Sequence, residues 1–170
     1  MSDEPVFIYA AKYATPDDVH ADYETLLDQH KEDLAETYDG GIITKDDRGK
    51  VHVKKHEKRT REAVGGGVAV GAVVAVLFPP SIIAAEAGAV PGGLIAHIRH
   101  GMSRRDMKDL GELLDDGEAG LVVVGKSSVR EQLDKDLERA QGSVERGISG
   151  LHHKEFEKEL KEAEKEGAAA

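Results

Sequence analysis

The period of the apolar positions changes along this chain, and each change marks an element. Val6-Phe7-Ile8-Tyr9-Ala10-Ala11 is a continuous apolar run rich in β-forming residues, which predicts a buried strand. Thr15-Pro16-Asp17-Asp18 has the form of a helix start: a capping hydroxyl, a proline at the first helical position, and acids at the positive end of the helix dipole. Val19, Tyr23, Leu26, Leu27 and Leu34 share one helical face. That helix is expected to close at Asp39-Gly40-Gly41, where glycine can adopt a left-handed cap. The β-type runs 42–45 and 51–54 flank Asp46-Asp47-Arg48-Gly49 and predict a hairpin.

Residues 63–98 break this pattern. The first arm, 63–78, is almost entirely Gly, Ala and Val; Pro79-Pro80 interrupts it; Ser81 can cap a second arm from 82 to 98. The expectation is a hairpin of two apolar helices. Small residues recur every four positions in both arms, at Ala63, Gly67, Gly71 and Ala75 and at Ala84, Gly88, Gly92 and Ala96. That spacing draws a stripe on each helix where backbones can approach closely, a packing or oligomerisation face. Leucine at Gly71 should therefore disrupt packing, whereas leucine at Val70, one position off the stripe, should be tolerated.

Beyond the hairpin, Ser103 with Asp106 has the form of a cap, Met107, Leu110, Leu113 and Leu114 make a helical face, and Gly117 closes it. Residues 121–124 read as a buried strand. Ser128 with Glu131 begins a helix whose apolar face is Val129, Leu133 and Leu137. Val144, Arg146 and Ile148 alternate as an edge strand would. The tail 151–166 is helical in pattern, with Phe156, Leu160 and Ala163 on one side, and the last four residues should fray. With the hairpin set aside, the first six elements follow the order of a split β-α-β unit. The predicted fold is α+β: a ferredoxin-like sandwich, an antiparallel sheet with helices on one face, interrupted by the glycine/alanine-rich hairpin. Residues 1–150 would form that domain and 151–170 a charged C-terminal helix with a frayed end.

Composition narrows the function. The chain has 170 residues and no cysteine, which excludes disulfides, thiolate metal sites and cysteine nucleophiles. With no tryptophan, 4% aromatic residues and a formal charge of -10, it lacks the stacking platforms and positive field of a nucleic-acid binder. The acidic start, Met1-Ser2-Asp3-Glu4-Pro5, is unlike a secretory signal and suggests a cytoplasmic protein. The first hairpin arm would span ~24 Å as a helix, against ~30 Å of bilayer core, and the second arm carries Glu86 and Pro91. Against this, a basic collar of Lys58, Arg59, Arg61, Arg99, Arg104 and Arg105 flanks the hairpin and would face the anionic lipid of an inner membrane surface. Burial in a soluble assembly and membrane association are both consistent with this pattern.

Candidate chemistry is sparse. His52 with His56, His97 with His100, and His152 with His153 are pairs without a third nearby ligand, so surface histidines explain them better than zinc. Gly65-Gly66-Gly67 lacks the Gly-Lys-Ser/Thr ending of a phosphate loop. Asp17-Asp18 and Asp115-Asp116 fall at helix ends, where capping or solvation accounts for them. Ser127 and Ser128 lack a nucleophile elbow. No catalytic, metal or cofactor residue emerges, and an enzyme is not expected.

The segments 65–78, 83–94, 107–114 and 120–124, in this order around the proline turn, resemble the bacterial domain-of-unknown-function family twelve sixty-nine. Its members are described as membrane proteins with a glycine-rich apolar hairpin. The resemblance covers residues 6–148 and implies no reaction and no functional residues. The expected function is that of a non-enzymatic structural or interaction protein that self-assembles through its sheet and hairpin as a homo-oligomer. Hairpin anchoring at a membrane and small-ligand binding between subunits are the alternatives.

Overall fold

A computed structural model describes residues 5–29, 37–54, 68–83, 92–125, 130–152, 158–159 and 161–162. The fold is α+β. Strands β1 (Pro5–Tyr13), β2 (Thr37–Lys45), β3 (Val51–Lys54), β4 (Ala119–Gly125) and β5 (Gly142–His152) form one open sheet in the order β3-β2-β4-β1-β5. Every neighbouring pair is antiparallel. β1 and β2 therefore run parallel to each other with β4 between them, joined by helix α1 (Pro16–Gln29). β4 and β5 are likewise parallel with β1 between them, joined by α5 (Arg130–Asp136). Two β-α-β units thus interlock. β3, the hairpin strand, lies outside both at the sheet edge.

Between β3 and β4 the chain forms α2 (Val68–Leu77), a 3-10 turn (Pro80–Ile82), α3 (Gly92–Gly101) and α4 (Arg104–Asp116). The helices cover both faces of the sheet, which corrects the expectation of helices on one face. Val6, Ile8 and Ala10 of β1, with Val122 and Val124 of β4 and Ile148 of β5, pack under α2, α3 and α4. Tyr9, Ala11 and Tyr13 point the other way, with Leu121 and Val123, under α1 and α5. Alternation along β1 divides its side chains between two cores. All seven residues of β4 are buried, which is why both central strands read as continuous apolar runs.

Local signals hold at the element ends. The Thr15 hydroxyl accepts from Asp18 N at 3.2 Å and begins α1. Ser103 caps α4 through Asp106 N at 3.0 Å, and Gly117 closes that helix. Gly49 takes φ +79° in the β2–β3 turn, while Asp46 Oδ1 accepts from Arg48 N at 2.8 Å and Lys50 N at 3.0 Å.

Three boundaries differ from the sequence reading. α1 ends at Gln29, and Asp39-Gly40-Gly41 lies inside β2 instead of capping a helix; Leu34 lies outside the described residues. The glycines serve close packing there. A Cβ on Gly40 would stand 3.2 Å from Tyr23 Oη, and one on Gly41 would stand 3.0 Å from Val70 Cγ1, so each admits a helix onto one face of the strand. After the diproline the chain does not enter the second arm directly: Ile83 bridges to Val51 of β3, residues 84–91 lie outside the described residues, and α3 begins at Gly92. Finally, Leu151 and His152 belong to β5, not to the tail helix, of which Lys158, Glu159, Lys161 and Glu162 are described as helical.

Candidate functional site

The apolar arm is the feature the sequence singles out most strongly. In α2, Ala69, Val70, Ala72, Val73 and Val74 are buried. The same core takes in Leu94 and Ile98 of α3 and Leu110 and Leu114 of α4. Residues 69–74 of the arm are thus covered inside one chain, while Ala75, Val76 and Leu77 are half-buried. Of the small-residue stripe, Gly71 is buried, Ala75 half-buried, Gly92 begins α3 and Ala96 is exposed; Ala63, Gly67, Ala84 and Gly88 lie outside the described residues. Val70 is 0% exposed and lies against Gly41, so it is a packing residue and not the tolerant position the stripe implied.

Of the basic collar, Arg99, Arg104 and Arg105 are exposed at the turn between α3 and α4; Lys58, Arg59 and Arg61 lie outside the described residues. Arg99 sits in the last turn of α3, where a cation is favoured by the helix dipole. The C-terminal tail returns to the same helix. Glu159 Oε1 lies 3.6 Å from His97 Nδ1, and its Oε2 is 4.0 Å from where a Cβ on Gly93 would stand.

A wide, open groove runs between α4 and the edge strand β5, lined by Asp109, Glu112, Leu113, Val144 and Arg146, with Asp115 and Asp116 at one end. Its charges are compensated in place. Arg146 bridges Asp106 (Nε to Oδ1, 3.1 Å) and Asp109 (Nη2 to Oδ2, 3.1 Å), and its Nη1 donates to the Glu145 carbonyl at 2.9 Å. Lys12 pairs with Asp116 at 2.5 Å, and Lys45 with Asp115 at 2.6 Å. The Lys12 ammonium, through its hydrogen bond and its charge, holds the Asp116 carboxyl below the usual range. The paired aspartates that suggested helix-end solvation thus tie α4 down to β1 and β2.

Two polar networks lie on the opposite face, one around buried Asp22 and one around the more exposed Asp134. Asp22, 1% exposed, accepts from the Tyr13 hydroxyl at 3.1 Å, Arg139 N at 3.0 Å and the Arg139 guanidinium at 2.9 Å. Asp134 accepts from the Tyr9 hydroxyl at 2.9 Å and the Ser143 hydroxyl at 2.7 Å. Burial, reinforced by these carboxylates, pushes both tyrosines well above the ordinary phenol range, so each remains a protonated donor. Asp134 is lowered: burial opposes its charge, but the Ser143 and Tyr9 hydrogen bonds and the Arg130 charge prevail. These donors and acceptors satisfy one another, which is an arrangement for fixing α1 and α5 on the sheet. The sequence carried one signal for Asp22 that went unused: a carboxylate at i+3 from Val19, within the apolar stripe.

His52 Nε2 lies 2.9 Å from Asp46 Oδ2, His97 faces Glu159, and His100 is exposed; His56 and His153 lie outside the described residues, as do Ser127, Ser128 and residues 65–67. Among the described residues no three His, Cys, Asp or Glu side chains converge as a metal site. No described helix is long and apolar enough to cross a membrane.

A family model described as "Protein of unknown function (DUF1269)" matches residues 63–164, more than half of the chain. The chain belongs to this family. The DUF1269 segment contains α2, α3, α4, β4, α5 and β5, while β1, α1, β2 and β3 precede it. It therefore includes the edge strand β5 and the strand inserted between β1 and β2, β4. Neither the curated proteins nor the solved structures give a significant match.

Proposed function

We propose that this DUF1269 protein is a non-enzymatic structural or interaction module that associates with copies of itself. Its interlocked units, with strand order β2-β4-β1-β5 and β3 added outside, correspond to a ferredoxin-like core elaborated by a helical arm. The observation that carries this reading is the sheet edge. β5 is eleven residues long and stands at the edge, while both faces of the sheet are covered by helices. A long edge strand is a template for another strand. The absence of unpaired buried titratable groups in the α4–β5 groove, among the described residues, favours an interaction role over acid–base chemistry.

Light scattering on the full chain in detergent-free buffer, over a range of concentrations, tests this. A mass at a multiple of 18.3 kDa supports it, and a monomer at every concentration overturns it.

A second reading is favoured by the exposed Arg99, Arg104 and Arg105 at one corner: peripheral contact with anionic lipid. Sedimentation with phosphatidylserine vesicles at low salt tests it. Binding that disappears in Arg104→Glu/Arg105→Glu supports this reading, and no binding counts against it.

A further inference from the structure

We propose that Arg146 sets the sign of the α3–α4 corner: it draws two carboxylates of α4 away, so that Arg99, Arg104 and Arg105 meet an anionic lipid surface as unpaired cations. This rests on the lipid-contact reading above and names the residue that makes such a contact possible in an acidic chain.

With a formal charge of -10, the chain as a whole is repelled by an anionic surface. In sequence α4 adds to that repulsion, since RRDMKDLGELLDD holds more carboxylates than cations. The fold sorts these charges. Lys45 of β2 and Lys12 of β1 take Asp115 and Asp116 at the C-terminal end of the helix. Glu112 stands 3.8 Å from Lys108. Near the N-terminal end, Asp106 and Asp109 turn to Arg146 of β5, each at 3.1 Å. Asp109 lies one turn from Arg105, the spacing of a helix ion pair, yet its carboxylate is taken by the strand. Arg104 has Lys108, a like charge, at the same spacing.

The three corner arginines are left over. Arg99, Arg104 and Arg105 are exposed, and none makes a hydrogen bond or ion pair among the described residues. Arg104 and Arg105 stand in the first turn of α4, where the helix dipole disfavours a cation, so helix stability does not account for them. Met102, in the turn between the helices, is buried and offers no apolar anchor to a bilayer. The contact is therefore electrostatic. Arg146 is not itself available to a headgroup. Its Nε and Nη2 hold Asp106 and Asp109, and its Nη1 donates to the Glu145 carbonyl at 2.9 Å. It is a positioning residue. Arg105 and Asp109 are separated by about 6 Å of helix, inside the screening length of about 8 Å at physiological salt. Carboxylates released from Arg146 would cancel the field of the arginines.

Sedimentation of the full chain with mixed phosphatidylserine–phosphatidylcholine vesicles at low salt tests this. One basic residue near such a surface is worth about fivefold in affinity, so Arg146→Met should weaken binding about fivefold or more, with its fold checked by thermal melting. Arg130→Met removes the same charge from α5, under the other face of the sheet, and should change binding less than about twofold. Asp106→Asn/Asp109→Asn/Arg146→Met removes the released carboxylates as well and should regain the affinity of the native chain or exceed it. No binding by the native chain overturns the lipid reading and this proposal together. Binding that Arg146→Met leaves unchanged, or weakens no more than Arg130→Met does, overturns this proposal and leaves the lipid reading standing. A folded triple variant that stays weak shows Arg146 touching lipid itself and overturns its positioning role. Equal binding to pure phosphatidylcholine vesicles removes the electrostatic basis and overturns the proposal as well.

Discussion

Asp22 and Arg139, 117 positions apart, are joined twice: the backbone N–H of Arg139 and its guanidinium donate to the two carboxylate oxygens of Asp22, at 3.0 and 2.9 Å. The Tyr13 hydroxyl adds a third donor. The turn after α5 is thereby fastened to α1 and β1 around a carboxylate that is 1% exposed. Asp22→Ala would leave a buried phenol and a backbone N–H without their acceptor. It should cost about 1–3 kcal/mol, read as a fall of several degrees in melting temperature. Arg139→Ala should lower it in the same direction but less, because Asp22 keeps Tyr13 and the Arg139 backbone.

Gly41 lets α2 rest on β2. A valine there would put its Cβ 3.0 Å from Val70 Cγ1, and overpacking of this kind costs about 1–3 kcal/mol. Gly41→Val should lower the melting temperature. Pairing it with Val70→Ala should recover part of the loss, and a double-mutant cycle in chemical denaturation measures the coupling.

Ser103→Ala removes the hydroxyl that accepts from Asp106 N at 3.0 Å. The expected cost is about 1 kcal/mol, with fraying of the first turn of α4. Loss of amide protection at Asp106 and Met107 in hydrogen exchange checks it.

Asp46 organises the β2–β3 turn. Its hydrogen bond with His52 and those from Lys50 N and Arg48 N bring its pKa from 3.8 to about 2. A folded pKa below the unfolded one means the ionised form is stabilised by folding. That contribution is complete above 3.8 and is lost as pH falls through about 2. The Asp46 carboxyl carbon should titrate with a midpoint near 2 by NMR in the native chain, and nearer 3.8 in His52→Ala.

Much of this fold was legible because it is local. The start of α1 at Pro16 needed only Thr15, the cap of α4 needed Ser103 and Asp106, and the hairpin turn needed Asp46 and Gly49. The buried run of β4 needed only its apolar content. What was not legible depends on partners far along the chain. Gly40 and Gly41 follow a helix and look like a cap, but they lie in a strand because Tyr23 and Val70 approach them from opposite faces. The insertion of β4 between β1 and β2 is a long-range choice that periodicity does not encode. Of the small-residue stripe, Gly71 is buried, Ala75 half-buried and Ala96 exposed, and Val70, one position off it, is buried as well; Ala63, Gly67, Ala84 and Gly88 lie outside the described residues. Of the candidate interface, the alternation at Val144, Arg146 and Ile148 suggested an edge strand, while its extension to His152 did not show, because Ser149, Gly150, Leu151 and His152 lack a strand pattern.

The proposed self-association has the described helix α2 of the apolar arm packed within one chain and a partner at the β5 edge. Hydrogen exchange of the full chain, compared between dilute and concentrated solution, tests it most directly. The account predicts that amides of α2 are protected at every concentration, whereas those of β5 gain protection only as the chain is concentrated. Loss of α2 protection on dilution, or β5 protection that does not change with concentration, would contradict it.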